Sequence, residues 1–193
     1  MRRAPLRWLI DEWQWPYATA FAAVFLLAIL PVLVATAGWT IALIYVQLPL
    51  YMLHQLEEHA GDRFRTFTNT VIGHGREVLS PLATFVINSL GVWVFDLVAL
   101  YLAVFVNPGW GLAAMYLPLV NAIGHVGQGL VLRRYNPGLW SAIFAFLPIS
   151  GAALLLVSRA AHATVAMQLA GFAAAIFVHA LIIAHVKRQL ARK

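Results

Sequence analysis

In the stretch HQLEE, His54, Glu57 and Glu58 set one imidazole and two carboxylates on a single helical turn. At about 100° per residue these three share a face, whereas His59 points away. Together with His125 they make the kind of nitrogen and oxygen donor set that holds zinc or iron and leaves positions open for water and substrate. The expected divalent-metal ligands are therefore His54, Glu57, Glu58 and His125. The simplest reaction is hydrolysis of a lipid-like substrate, with the spare glutamate as general base and Asn121 orienting a ligand or polarising a carbonyl. The spacing is neither H-E-x-x-H nor the paired E-x-x-H of di-iron bundles. A metal-free reading therefore stands beside the first: a desolvated glutamate next to a histidine exchanges protons near neutral pH, which suits isomerisation or cyclisation of an apolar isoprenoid or sterol-like molecule. A third reading is a carrier or receptor whose same groups bind a proton, a cation or a small ligand.

The elements that must position these groups are membrane spans. The chain has 193 residues, 62% of them hydrophobic and 10% charged, a composition outside the range of soluble domains. Its partners are then membrane lipid and a lipid-like or apolar small molecule. The absence of cysteine excludes disulfides and thiolate metal sites. A net charge of +6 reports topology in such a chain rather than affinity for nucleic acid. Six apolar runs of about 20 residues, at 17–36, 40–58, 82–106, 112–132, 139–158 and 164–186, predict an all-α six-helix transmembrane bundle forming a single domain over 1–193.

Charge tests that division independently. With the N-terminus inside, the inner segments hold Arg2, Arg3 and Arg7, then Arg63, Arg65 and Arg76, then Arg133 and Arg134, then Lys187, Arg188, Arg192 and Lys193. Only Arg159 of the 13 basic residues falls outside, so both termini are expected in the cytoplasm of a bacterial cell, with the protein in its cytoplasmic (inner) membrane. The first run is too long for the apolar core of a secretory signal, despite the cleavage-like Ala35-Thr36-Ala37, and reads as an uncleaved span. In the connection from His59 to Pro81, Phe64, Phe67 and Val71 recur at helical spacing beside Arg63 and Arg65. That pattern fits an amphipathic helix on the inner leaflet or a solvated loop.

Gln47, Tyr51, His54 and Glu58 continue one polar seam along the second span, and a seam of this kind must face the bundle interior. The fourth span repeats the pattern with Asn121, His125 and Gln128, and Gly124, Gly127 and Gly129 would let another helix approach closely. His125 lies about 12 Å from its cytoplasmic end at 1.5 Å per residue. Asn88 and His179 sit at similar depth in the third and sixth spans, so one polar pocket in the inner half of the bilayer is expected. Within it, Asn121, Gln47 or Gln128 should hold the second ring nitrogens of His54 and His125. Glu58 should face the pocket centre and Glu57 a neighbouring helix. Pro49 and Pro118 kink the two motif-bearing spans. His74, His162 and His185 are expected at the interface, and Asp96 deeper, toward the outer half.

The stretch RRYNPG suits a turn, with Arg133 and Arg134 fixing topology and Tyr135 anchored at the headgroups or closing the pocket mouth. Taken together, HQLEE at His54 to Glu58, the separate His125, and YNPG at Tyr135 to Gly138 resemble the HXXEE domain family, small membrane proteins named for the first motif. The family carries a further histidine and a Y-x-P-G motif, in the order found here. The resemblance runs from His54 to Gly138 and implies that His54, Glu57, Glu58, His125, Tyr135, Pro137 and Gly138 are family positions. It implies no activity.

Overall fold

A computed structural model describes residues 9–192, and every regular element among them is helical. Arg2, Arg3, Arg7 and Lys193 lie outside the described residues. Five helical runs are long and apolar enough to cross a membrane, so the protein is a multi-pass membrane protein. The first of these runs, Trp15–Ile72, is too long for one crossing and divides at Gly38, where φ is 80° and ψ 168°. That backbone conformation is open to glycine almost alone. The chain reverses there: the Tyr45 hydroxyl donates to the Leu26 carbonyl at 3.0 Å, and the Trp15 and His59 rings lie 4.9 Å apart. The bundle therefore has six spans, α1 (15–37), α2 (39–59), α3 (Pro81–Phe105), α4 (Pro108–Leu132), α5 (Leu139–Ala160) and α6 (Val165–Ala191).

Local chemistry explains the breaks within these spans. In α2 the helix restarts at Gln47 because Pro49 has no N–H for the Tyr45 carbonyl. Ser80 caps α3 by accepting from the Ala83 amide at 3.2 Å, with Pro81 at the first helical position. The wider π-helical turns at Ser89–Val94 in α3 and Ala142–Ser150 in α5 leave no trace in the apolar periodicity. The second of them contains Pro148, whose missing N–H such a turn accommodates. Two apolar clusters hold the spans together, one around Ile44, Leu112 and Met115 and the other around Tyr51, Leu117 and Phe146.

The motif-bearing end of the bundle gathers several segments. The Trp13 indole donates to the His59 carbonyl, the Arg76 guanidinium reaches the carbonyls of Leu190 and Arg192, and Asn136 pairs with His125. At the opposite end, the Tyr116 hydroxyl donates to Gln168 and Gln168 to Ser158. Both described ends of the chain thus lie at the end that carries Glu58. Reporters fused at the C-terminus and in the 59–81 connection should consequently read the same side, and the charge rule predicts a cytoplasmic signal from both. Opposite-sided signals from the two fusions would break the six-span topology.

The 63–67 segment is helical, as an amphipathic pattern requires, and a π-helical turn at Thr68–Ile72 follows it. Its Phe64 does not turn to lipid. The ring packs 5.5 Å from that of His59 and 6.2 Å from that of His125, as a cover over the motif. Arg65 pairs with Asp62 and Glu77 and lies over the Trp13 ring, and Arg134 lies over Phe67.

Candidate functional site

The seam on α2 is buried: Gln47, Tyr51, His54 and Glu58 are each 5% exposed or less. His54 and Glu58, one turn apart, place Nε2 and Oε2 3.6 Å from each other. From α4, His125 brings its Nε2 to 3.5 Å from the other Glu58 oxygen. One donor atom from each of His54, Glu58 and His125 falls within 4.8 Å of the other two, so the histidines 71 positions apart in sequence meet at one carboxylate.

What fixes the two rings comes from the turn before α5 and from the first turn of α5 itself. His125 Nδ1 lies 2.6 Å from Asn136 Oδ1, and the Asn136 amide nitrogen donates back to the His125 carbonyl at 2.9 Å. That pairing makes Nδ1 a donor and leaves Nε2 turned to Glu58. His54 is held alike: its Nδ1 is 2.7 Å from Ser141 Oγ, whose own proton goes to Glu57. His54 Nε2 is buried without a hydrogen-bond partner. The sequence pointed to Gln47, Asn121 or Gln128 for these supporting contacts, and that expectation is corrected. Gln47 instead bonds Ser150 and the Leu43 carbonyl, and Asn121 and Gln128 line the adjoining cavity. Asn136 and Ser141 escaped notice because a turn and a helix start carry no periodic signal.

Glu57 has a different position from Glu58. One oxygen accepts from the Trp140 amide at 3.1 Å and the Tyr135 hydroxyl at 2.9 Å, and the other from the Ser141 amide at 2.7 Å and the Ser141 hydroxyl. These amides belong to the first turn of α5, where backbone N–H groups have no partner within the helix, so a carboxylate from α2 caps α5. Counted among the metal ligands from sequence, Glu57 is not part of the converging group. Partial burial, then the Glu57 carboxylate that accepts its proton, push the Tyr135 hydroxyl up to about 12, which keeps it a donor.

His59 is a second correction. It does not point away but is 1% exposed, with Nε2 3.0 Å from Glu58 Oε2. The helix ends at this residue, where φ is −113°, and the ring swings back under Trp15 and Phe64. Gln55, also missed, is fully buried between Asn88 and the Trp93 indole, at 2.8 Å from each. Gly138, at φ 97°, sits against both imidazoles: a Cβ there would lie 2.7 Å from His125 Cε1 and 2.8 Å from His54 Cε1.

Beside the donors lies a cavity of about 300 Å³, bordered by Tyr51, Asn88, Asn121, Gln128 and His179. His179 Nδ1 donates to the Ala175 carbonyl of its own helix at 2.9 Å, and one amide atom of Asn121 is buried without a partner. Gly124 and Gly127, expected to admit a neighbouring helix, have nothing within 4 Å of an added Cβ, so no helix packs there. Asp96 is buried with neither oxygen hydrogen-bonded and does not border this cavity. His74 and His162 are exposed, and His185 is half-buried.

Comparison with known sequences finds that the profile described as a protein of unknown function with HXXEE motif matches residues 45–153. Searches of curated proteins and of solved structures gave no match.

Proposed function

The chain belongs to the HXXEE family of proteins of unknown function, and from the convergence of His54, Glu58 and His125 we propose an intramembrane metal-dependent hydrolase acting on a lipid-like substrate. The observation that carries this reading is the orientation of the two imidazoles. Each has its Nδ1 held by a hydrogen bond, to Ser141 and to Asn136, and each turns Nε2 toward the same carboxylate, the His54 Nε2 having no hydrogen-bond partner among the described residues. Ligand histidines are commonly prepared in this way, and a buried imidazole nitrogen without a partner is otherwise costly. Nitrogen and oxygen donors suit zinc or iron. Held there, either ion would polarise a substrate carbonyl and make water a better nucleophile.

The chain's own groups supply the rest. With Glu57 engaged at the start of α5, the proton acceptor passes from the spare glutamate to His59, which borders the cavity with its Nε2 beside Glu58. Asn121, with an unpartnered amide atom at the cavity, orients the substrate's polar group. Elemental analysis of protein purified without chelator should find stoichiometric zinc or iron, lost in both His54→Ala and His125→Ala. Protein that stays metal-free after incubation with either ion would overturn this reading.

Metal-free acid–base chemistry is the second reading, favoured by one feature: three imidazole nitrogens, from His54, His59 and His125, lie 3.0–3.6 Å from Glu58. A proton shared among them would satisfy the carboxylate without an ion, and isomerisation of an apolar substrate would follow. The same elemental analysis separates the two.

A further inference from the structure

α6 is fastened at its two ends and stands off between them. Near its start, Gly171 lies against Ala113 and the Tyr116 ring, and Gln168 bonds the Tyr116 hydroxyl. At its far end, Arg76 holds the Leu190 carbonyl at 2.7 Å. Its buried residues are Gly171 and Ala175, both in the first half. Beyond them a Cβ on Gly91 of α3 would meet Val178 at 3.5 Å. Past that contact the two spans part.

The gap is a groove of about 420 Å³, walled by Ala83, Val86 and Leu90 on one side and Leu181 on the other. It shares Ile87 and Ile182 with the cavity beside Glu58, so the two spaces adjoin across those side chains. Val86, Leu90 and Leu181 are exposed, and on a span the exposed apolar surface faces lipid chains. His185 also borders the groove, whose apolar walls are open to hydrocarbon. Inward, the apolar walls end at Asn88, Asn121, His179 and the Glu58 cluster.

We propose that the groove between α3 and α6 is the lateral access route and tail-binding site for a neutral, single-chain acyl ester, whose carbonyl reaches the cavity while its chain stays between Ile87 and Ile182. The proposal rests on the hydrolase reading above for the direction in which the ester lies. Three features select this occupant. At about 300 Å³ the cavity is at the small end of ligand pockets, and with a groove of about 420 Å³ beside it it suits a small head with one chain rather than a two-chain phospholipid. Among the described residues no lysine or arginine borders it, and Glu58 does, so no cationic side chain there is placed to hold a phosphate group. The unpartnered Asn121 Oδ1 offers an acceptor for a hydroxyl on the head.

The test is photolabelling in phosphatidylcholine vesicles, with protein reconstituted beside a long-chain monoacylglycerol that carries a diazirine on its chain. Labelled peptides should concentrate on residues 83–91 and 178–185 relative to the equally lipid-exposed 97–106 stretch, and excess unlabelled monoacylglycerol should remove the label. Ile182→Trp, which fills the gap, should lose labelling at 83–91 while keeping wild-type metal content and thermal midpoint. Ile182→Ala should keep the labelling, so a folding defect in the tryptophan variant leaves the test intact. Even labelling of all lipid-facing stretches overturns the proposal, as does equal capture of a diazirine phosphatidylcholine. Protection of the groove in a cross-linked dimer likewise overturns it and assigns the face to a second copy. Metal content is read separately, so loss of the ion with concentrated labelling would overturn the hydrolase reading and leave the tail site standing.

Discussion

Glu58→Gln is expected to abolish metal retention, while Glu57→Gln weakens it by about 10- to 100-fold, the usual effect of losing a group that orients a ligand. The difference follows from where adjacent carboxylates on one helix point. Glu58 is buried between His54 and His125, at 3.6 and 3.5 Å from their Nε2 atoms, so the amide leaves a weaker neutral oxygen and removes the negative charge an ion would meet. Glu57 acts through Ser141: without the carboxylate the serine hydroxyl loses its acceptor, and the His54 ring loses a fixed partner. Zinc and iron titrations of the purified variants, with thermal midpoints alongside, read both effects. If chemistry proceeds without metal, Glu58→Gln should instead abolish turnover and leave ligand binding intact. Wild-type metal content and activity in both variants would reduce the pair to structural caps.

Gly138→Ala should also destroy the centre while leaving the spans inserted. The residue is at φ 97°, and a Cβ would lie 2.7 Å and 3.0 Å from two atoms of the His125 ring and 2.8 Å from the His54 ring. A non-glycine residue in such a conformation costs about 1–3 kcal/mol, and forced overpacking costs a similar amount, about 1–3 kcal/mol. The rings cannot yield without breaking the bonds to Ser141 and Asn136. Gly127→Ala is the control, since nothing lies within 4 Å of its added carbon. Metal loss and a lowered midpoint should appear in the first variant and not in the second. Equal behaviour of the two would show that the turn does not pack on the histidines.

The spans were legible because hydrophobic length is written residue by residue. The α2 seam was legible because spacings of four and three put Gln47, Tyr51, His54 and Glu58 on one face. Where the backbone departs from 3.6 residues per turn, the reading failed. His59 looked outward on an ideal helix, but the helix ends there and the ring folds inward. Gln55 sits on a flank of α2 that is buried as well, so polarity alone could not distinguish it from a surface residue. Asn136 looked like a turn former. It is one, and its amide also grips His125 at both the ring and the carbonyl. The glycines of α4 suggested close helix packing, but small residues clear a space as readily as they admit a neighbour, and at Gly124 and Gly127 they clear it.

The cap that Glu57 places on α5 also bears on biosynthesis. The ribosome completes α2 well before it makes Trp140 and Ser141, and before His125 is available to Glu58. During that interval Glu58 has only His54 and His59 of its own helix beside it and Glu57 lacks the partners it later acquires, and a charged side chain far from water is costly in a bilayer. Their location at the end of α2, one residue from where that helix stops, lets them wait in the headgroup region. The centre is therefore completed in order of synthesis, Glu58 gaining His125 with α4 and Glu57 its partners only with the start of α5.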